Sequence, residues 1–292
     1  MTDGIVVVDK PVGLTSHDVV ARLRRVAGTR RVGHAGTLDP MATGVLVVGI
    51  GKATRLLGHL ALTAKSYDAT IRLGEATTTD DAQGEVLTSA SAAHLSDQNV
   101  RAGVLSYRGE TSQVPSAVSA VKVDGERSYR RARRGEQVAL APRTVRIEAL
   151  ELTDIRHTED FVDVDVSLTC SSGTYVRALA RDIGADLGVG GHLTRLRRTA
   201  VGPYRLRDAH TLDELAAELV VVPLADVAAA SFATYKVSEE QAAMIGHGRQ
   251  LVALDLGIPG PVAMLAPDGS LLALYEQRGS HACAVAVFAP SE

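Results

Sequence analysis

The chain has 292 residues, of which 46% are hydrophobic and 22% are charged, and its formal net charge is −3. This composition is ordinary for a soluble globular protein, and the length allows one large domain with a small one. No apolar run approaches the roughly 20 residues that span a bilayer, and the N-terminal residues lack the pattern of a signal peptide. Two distant cysteines provide neither a disulfide framework nor a cysteine zinc site. We therefore expect a cytoplasmic protein without a membrane segment.

The basic residues are unevenly distributed along the chain. A single basic cluster is typical of a solvated helix face. Several clusters on a chain with 34 acidic and 31 basic residues favour a surface that binds a polyanion. Three clusters are present: Arg22, Arg24, Arg25, Arg30 and Arg31; Arg127, Arg130, Arg131, Arg133 and Arg134; and Arg195, Arg197 and Arg198.

The first third of the chain predicts three strands and a helix. Apolar runs at 4–10 and 44–51 are typical of buried strands, and 65–73 alternates apolar with polar residues. Between the first two strands, Ser16 is placed to cap a helix that Gly28 ends. The polar stretch EATTTDDAQGE that follows indicates a loop.

The middle of the chain mixes both kinds of element. Ser96 opens a helix, and the Gly-, Ser- and Arg-rich section 108–135 predicts a protruding loop with a short basic helix. FVDVDVSLTC has the clearest period of two, and SSGTYVRALARDIGADLG turns into an amphipathic helix. Because helices and strands do not alternate regularly, we expect an α+β fold: a mixed, largely antiparallel central sheet with flanking helices.

The character of the sequence changes after Tyr204. TLDE and SEEQ have capping-box spacing, and PDG between two apolar runs signals a hairpin. From about residue 235 onward the pattern is that of a small β-barrel. We therefore divide the chain into a large domain at 1–205 with an insertion at about 108–140, a helical connector at 206–230 and a small domain at 231–292.

The stretch RVGHAGTLDPMATGVLVVG places one carboxylate, Asp39, among glycines and small residues. An Asp-Pro pair in such a context is commonly a turn. The alternative is a reactive carboxylate on tight backbone that a substrate can approach. His34 and Asp39 could share a metal, but their spacing fits no ligand signature and no third ligand stands out. The chain also lacks P-loop, Rossmann, HExxH, CxxC and GxSxG motifs.

Several segments, in order, resemble one family of RNA-modifying enzymes. GHAGTLDPMATGVLVVG resembles the catalytic motif of the TruB family, the bacterial-type tRNA pseudouridine synthases that modify uridine 55 in the T loop. VVVDKPVGLTSHDVV, VPSAVSAVKVDGERSYRRARRGE, CSSGTYVRALARDIG and HLTRLRRTAVGPY resemble further segments of that family. The resemblance covers roughly residues 4–204 and implies the pseudouridine synthase fold. Family members often carry a PUA-like domain where this chain has its last sixty residues.

The resemblance implies a role for particular side chains. Asp39 would be the catalytic carboxylate, and Arg177 would pair with it and favour its ionised form. Tyr67 would stack on the target base, and His34, Tyr175 and Leu196 would contact the substrate. Without the resemblance, core packing is the favoured interpretation of Tyr67 and Tyr175. Arginines of the insertion, Arg127, Arg130, Arg131, Arg133 and Arg134, would grip the RNA.

The implied partner is the T arm of tRNA, whose target uridine must be flipped out of its loop. The isomerisation rejoins the same atoms, so no cofactor or metal is expected, and no protein partner is implied. We expect a monomer, because no sustained heptad pattern is present. Two other functions stay open: a tRNA-binding or folding module without catalysis, and a metal-dependent hydrolase that uses His34 and Asp39.

Overall fold

The computed structural model describes residues 3–116, 122–123, 126–127, 140–246, 249, 251–252 and 254–289. These residues form a ten-stranded sheet, a five-stranded sheet and two short two-stranded ribbons. The α+β class expected from the sequence is confirmed. No helix in the described ranges is long and apolar enough to cross a membrane.

The ten-stranded sheet is the centre of the molecule. Along its main path the strands follow the order β14-β1-β3-β12-β4-β11-β10-β7, with β2 paired to β3 and β13 paired to β12. All neighbours are antiparallel except β3 and β12. Its strands are β1 (Gly4–Lys10), β2 (Val32–His34), β3 (Thr43–Ile50), β4 (Lys65–Leu73), β7 (Gly109–Gln113), β10 (Arg143–His157), β11 (Val162–Cys170), β12 (Gly191–Val201), β13 (Tyr204–Arg205) and β14 (Val222–Pro223).

The remaining strands form the smaller sheets. Two ribbons pair β5 (Glu75–Thr77) with β6 (Val86–Ser89) and β8 (Lys122–Val123) with β9 (Glu126–Arg127). The five-stranded sheet runs β15-β17-β18-β19-β16. Its members are β15 (Ala233–Lys236), β16 (Leu251–Val252), β17 (Val262–Leu265), β18 (Leu271–Arg278) and β19 (His281–Val287).

Seven α-helices lie in the described ranges, together with 3₁₀ turns at Gly51–Arg55 and Leu206–Asp208. The helices are α1 (Ser16–Val26), α2 (Leu57–Ala61), α3 (Asp97–Leu105), α4 (Val176–Asp186), α5 (Leu212–Ala217), α6 (Leu224–Ser231) and α7 (Glu239–Gly246). Thr211 caps α5 as its spacing predicts, and Ser238 and Gln241 form the same reciprocal hydrogen bonds ahead of α7.

The cap of α1 differs from the prediction by one residue. Thr15, not Ser16, is the N-cap, and its hydroxyl and backbone exchange hydrogen bonds with Asp18. An acid three residues after the cap completes a capping box, which favours Thr15. Ser16 is then the first helical residue, and its buried hydroxyl is free to bind elsewhere.

One face of the central sheet is covered by helices and forms the main core. The alternating residues of β11 are buried at Val162, Val164, Val166 and Leu168, as the period of two predicts. They pack with apolar residues of α1, α3 and α4 in a single cluster. This packing holds the N-terminal end of α4 against the loop that follows β2.

A second core joins the central sheet to the C-terminal sheet. Val45 and Val47 of β3 share a buried cluster with Ala263, Leu274 and Phe288. The expected C-terminal β-barrel is not closed in the described residues, because the five strands form an open order with β15 and β16 at its ends. The C-terminal strands therefore form an open sheet that packs against the central sheet through this second core.

Candidate active site

The loop between β2 and β3 carries Asp39 to the edge of a cavity. The Asp39 side chain is 38% exposed, and its Oδ2 accepts a hydrogen bond from Arg177 Nε at 2.9 Å. Arg177 lies in the first turn of α4 and is only 4% exposed. The buried guanidinium therefore fixes the direction of a carboxylate whose other oxygen can face a ligand.

Arg177 also contacts a second carboxylate. Its Nη1 donates to the carbonyl of Thr79 at 2.7 Å and lies 3.5 Å from Asp81 Oδ2. Asp81 is buried, and its Oδ1 accepts hydrogen bonds from the Thr79 hydroxyl and the Gln83 amide. The result is a chain of charges, Asp39–Arg177–Asp81, in which one cation lies between two anions.

The segment that supplies Asp81 is the polar stretch predicted as a loop. It contains β5 and a turn in which Asp80 adopts a positive φ of 59°. Asp81 forms an isolated bridge with Leu193 of β12, so the turn is anchored to the central sheet. Asp81 was not among the site residues predicted from the sequence, where the pair of adjacent acids in a Thr-rich turn was the feature that could have indicated it.

The side chains of Ser16 and Lys10 form hydrogen bonds with the backbone around Asp39. Ser16 Oγ accepts from the amide of Leu38 at 2.8 Å and donates to its carbonyl at 3.1 Å. Lys10 Nζ donates to the carbonyls of Leu14 at 2.7 Å and Pro40 at 3.5 Å. The loop is therefore organised before any ligand arrives.

Arg198 holds the beginning of the same loop. Its guanidinium donates to the carbonyls of Val45 at 2.7 Å, Gly36 at 3.1 Å and Thr37 at 3.4 Å. Gly36 has a φ of +93°, and a Cβ there would lie 3.4 Å from Lys65 Cε and 3.6 Å from Arg198 Nη1. The positive φ explains the glycine, since other residues rarely adopt that conformation.

A cavity of about 230 Å³ opens beside this loop. Five of the residues predicted from the sequence line it together: Asp39, Tyr67, Tyr175, Arg177 and Leu196. Tyr67 and Leu196 project from adjacent strands, β4 and β12, and are 7% and 6% exposed. An aromatic ring, an apolar side chain and a carboxylate thus surround a space of limited size, as expected for a small planar ligand.

Other predicted residues lie outside the cavity wall. His34, in β2, is not among the lining residues, and its ring stands edge-to-face with that of His17 at 5.5 Å between centroids. Arg127 lies in β9, but its side chain and all of Arg130, Arg131, Arg133 and Arg134 fall outside the described residues. The Arg143 guanidinium lies 5.9 Å from the centroid of the Tyr175 ring, a contact that the sequence did not suggest.

Comparison with known proteins identifies the family. The model described as the TruB family pseudouridylate synthase N-terminal domain matches residues 24–176. Two C-terminal models, of tRNA pseudouridylate synthase B and tRNA pseudouridine synthase II, match residues 177–230 and 232–289. The chain belongs to the TruB family.

Similar proteins cover the full length of this TruB-family chain. The tRNA pseudouridine synthase B of Thermobifida fusca is 59% identical, with all of both chains covered. The enzyme of that name from Arthrobacter sp. strain FB24 is 55% identical, covering 100% of this chain and 98% of the other.

Solved structures show a related fold. The chain aligns with a protein in a Cbf5-Nop10-Gar1 complex at a TM-score of 0.77 and 26% identity, covering 99% of this chain and 85% of the other. A chain of an H/ACA RNP bound to a substrate RNA that contains 2′-deoxyuridine aligns at a TM-score of 0.75 and 24% identity, covering 99% and 86%. The latter likeness concerns the fold alone.

Within this TruB-family site, Lys10 and Lys65 add positive charge, and neither forms an ion pair with another described residue. Lys65 lines the cavity. Burial, together with the positive charge of Arg198, lowers the pKa of Lys65 to about 8. Burial likewise lowers the pKa of Lys10 to about 8, while the charge of Asp39 opposes that shift. Both ammonium groups are held by backbone carbonyls, Lys65 by those of Ala61 and Thr63 at 2.8 and 2.7 Å.

Tyr67 lines the same cavity as Lys65 and Arg198. Burial raises the pKa of its phenol, and the positive charge of Arg198, its partner across β4 and β12, opposes the rise. The phenol is therefore neutral at physiological pH and available as a hydrogen-bond donor. In the described ranges, no group of three or more His, Cys, Asp or Glu side chains is placed to hold a metal ion.

Proposed function

We propose that this chain isomerises uridine to pseudouridine in tRNA, at position 55 of the T loop, with Asp39 as the catalytic carboxylate. The observation that carries the proposal is the Asp39–Arg177 pair at 2.9 Å in a cavity that Tyr67 and Leu196 also line. The names of its full-length relatives, tRNA pseudouridine synthase B, support the substrate and the reaction.

The chemistry requires little beyond these side chains. The bond between N1 and C1′ breaks, the base turns, and C5 bonds to C1′, while C5 loses a proton and N1 gains one. The Asp39 carboxylate can attack C1′, attack C6 or remove a proton at the 2′ position. Arg177 orients this carboxylate through its hydrogen bond to Oδ2 at 2.9 Å.

The cations of the cavity suit the charge that develops on the base. When the N1–C1′ bond breaks, its electron pair stays with uracil, which becomes anionic. Lys65 and Arg198 both line the cavity and create a positive potential there. This potential stabilises an anion more strongly once water has left the cavity. In this proposal Tyr67, which lines the cavity, stacks on the base and takes part in the proton transfer at C5.

The substrate enters by base flipping, since the target uridine lies inside a folded RNA loop. His34, Tyr175 and Leu196 contact the flipped nucleotide or its neighbours in this proposal. The arginines of the insertion at about 108–140 grip the T arm through its phosphates. The enzyme acts in the cytoplasm as a monomer without a protein partner.

The domain assignment is part of the same proposal. Residues 1–205 form the catalytic domain, 206–230 the helical connector and 231–292 a PUA-like RNA-binding domain. The five-stranded sheet supports the β-rich character of the last unit. A shared core with Phe288 supports close attachment of this unit to the catalytic domain.

Tritium release from tRNA labelled at C5 of uridine tests the proposal, because the new C5–C1′ bond replaces the C5–H bond. We expect release by the wild type in the presence of chelator, and a loss of at least about 1,000-fold in Asp39→Asn. Asp160→Asn, at an exposed loop position, is the matched control and keeps wild-type activity.

Three results would decide against the proposal. Binding of tRNA by the wild type without tritium release would favour the folding module, and loss of release with chelator would favour a metal-dependent enzyme. Equal release by Asp39→Asn and wild type would show that another group is the catalytic carboxylate. A tRNA with cytidine at position 55 tests the site, since it should release no tritium from its T loop.

A further inference from the structure

A strongly cationic surface lies along α1 and the turn that leads into β2. It consists of five exposed arginines within ten residues, which we call the α1 cluster: Arg22, Arg24, Arg25, Arg30 and Arg31. The buried positions of α1 are Ser16, Val19, Val20 and Leu23, so Arg22, Arg24 and Arg25 lie on its exposed surface, and Arg30 and Arg31 follow in the turn after the helix. The surface is separate from the cavity wall, although Arg22 also borders a second cavity near Lys10.

No arginine of the α1 cluster forms an ion pair within the described part of the chain, although Asp18 interacts electrostatically with Arg22. The cluster's one side-chain hydrogen bond runs from Arg24 Nη2 to the carbonyl of Val32 at 3.1 Å. The nearest acid on α1, Asp18, accepts hydrogen bonds from the amide and hydroxyl of Thr15 at 2.8 and 2.6 Å. The cluster therefore keeps its charges available to an outside anion.

On the central sheet, by contrast, three arginines form ion pairs with carboxylates. Arg72 pairs with Asp163 at 2.8 Å, Arg156 with Asp165 at 2.7 Å, and Arg197 with Asp9 at 2.7 Å. The helix dipole accounts for favourable cations in the last turn of α1, but only Arg24 and Arg25 lie there. Five neighbouring guanidinium groups repel one another; Asp18 partly offsets the charge of Arg22, but no ion pair in the described residues offsets those of Arg30 and Arg31.

The cluster is physically continuous with the active site. The first residue of α1, Ser16, is hydrogen bonded to Leu38, directly before Asp39. The next residue, His17, contacts His34 of β2. An α-helix of 11 residues is about 16 Å long, so the cluster begins within one helix length of the catalytic loop.

We propose that the α1 cluster binds the phosphodiester backbone of the RNA stem next to the loop that enters the cavity. This inference rests on the proposed function. A base bound in the cavity is covalently joined to an RNA strand, and that strand must leave the cavity past the cavity's rim. Guanidinium groups bind phosphate through two parallel hydrogen bonds, and phosphate contacts fix the register of an RNA without reading its sequence. The stem of the same RNA molecule is thus the partner, and α1 guides it toward Asp39.

The double variant Arg25→Gln/Arg30→Gln tests the proposal. Neither side chain makes a hydrogen bond or ion pair in the described residues, so the substitutions remove charge without breaking contacts. The control, Arg101→Gln/Arg207→Gln, removes the same charge from exposed positions on α3 and on the second 3₁₀ turn, where Arg207 forms only a solvent-exposed ion pair with Asp208 at 3.7 Å. The dissociation constant of an unmodified tRNA transcript is measured for all three proteins between 50 and 300 mM salt.

We expect the α1 variant to bind tRNA about 10-fold more weakly at the lower salt concentrations, and its log–log salt slope to fall by about 2. The control should stay within about twofold of wild type in both quantities. A single-stranded RNA with only the loop sequence should bind the α1 variant and the wild type equally, because it lacks the stem.

Each contrary result overturns a defined part of the inference. Equal weakening by both double variants would show that binding follows net charge, and an unchanged salt slope in the α1 variant would show that α1 makes no phosphate contact. An equal penalty with the loop-only RNA would place the contact on the loop strand instead of the stem. Tritium release by the wild type, measured in parallel, judges the proposed function separately from these slopes.

Discussion

Two sides of the active-site cavity each use a buried arginine, and the two arginines have opposite kinds of partner. Arg177 is 4% exposed and lies between the carboxylates of Asp39 and Asp81. Arg198 is 1% exposed, and its guanidinium donates to three backbone carbonyls, of Gly36, Thr37 and Val45. One side of the cavity is therefore organised around the charge of Asp39, and the other around the backbone that carries it.

This difference separates two tasks that a catalytic loop must meet. A carboxylate needs a cation to hold its direction and its ionised state. The backbone on which it stands needs its carbonyls satisfied, since buried unpaired carbonyls are costly. Arg177 should therefore affect the rate of reaction most, and Arg198 the stability of the fold.

The largest effect is expected from Arg177→Lys. Lysine keeps the charge but cannot contact Asp39, Thr79 and Asp81 at once, because it lacks the planar fork. The single-turnover rate of tritium release should fall by about 100- to 1,000-fold with tRNA binding nearly unchanged. Arg181→Lys is the matched control, since Arg181 lies one turn further along α4 and pairs with Asp80 and Asp182. A similar loss in both variants would mean that α4 as a whole, and not the Asp39 contact, is sensitive.

Arg198→Met should act mainly on stability. The substitution keeps the apolar stem but leaves buried carbonyls of the loop without their donor, at a cost of about 3 kcal/mol in the free energy of unfolding. Urea unfolding measures the change. Arg72→Met, which removes a partly exposed ion pair with Asp163, should cost under about 1 kcal/mol. A wild-type stability in Arg198→Met would show that water replaces the guanidinium.

The sequence predicted best what local patterns determine. The strands β1 and β4 have the predicted limits, and β11 begins one residue later than predicted, because apolar runs and a period of two mark buried strands. Asp39 and Arg177, named through a family resemblance, do form a pair in the structure. Their catalytic roles stay predictions.

Contacts between distant segments were not predictable in the same way. Ser16 was expected to cap a helix, yet its hydroxyl binds Leu38, and no local pattern indicates that contact. Asp81 stood in a polar stretch typical of an exposed loop, and it is buried because Arg177, far along the chain, reaches it. The C-terminal strands show the same limit, because alternation predicts strands but not whether their sheet closes.

Ser16 and Thr15 offer a sharper version of the comparison, because both hydroxyls lie at the start of α1. Thr15→Ala removes the cap and should cost about 1 kcal/mol of stability with a nearly unchanged turnover number. Ser16→Ala leaves the amide of Leu38 without its acceptor, so we expect the turnover number to fall about 10-fold while tRNA binding is retained. Kinetics and urea unfolding of both variants separate the two effects. A turnover number that falls equally in both would show that the stability of α1, and not the Leu38 contact, positions Asp39.

The smallest effect is expected from Lys65, whose pKa depends on the charge of Arg198 on the same side of the cavity. Burial, with the charge of Arg198 second, lowers the pKa of Lys65 from 10.5 to about 8. Between these two pH values the unfolded chain holds a proton that the folded chain has released, so this group makes the fold more stable as pH rises. Relative to Lys65→Met, in which Lys10 still titrates equally, wild type should gain about 1 kcal/mol of unfolding free energy between pH 8 and 9. Urea unfolding at pH 7, 8 and 9 measures this difference, and a flat difference would show that the ammonium keeps its ordinary pKa. In an Arg198→Met background the gain should move to higher pH, because the charge that disfavours the ammonium is gone.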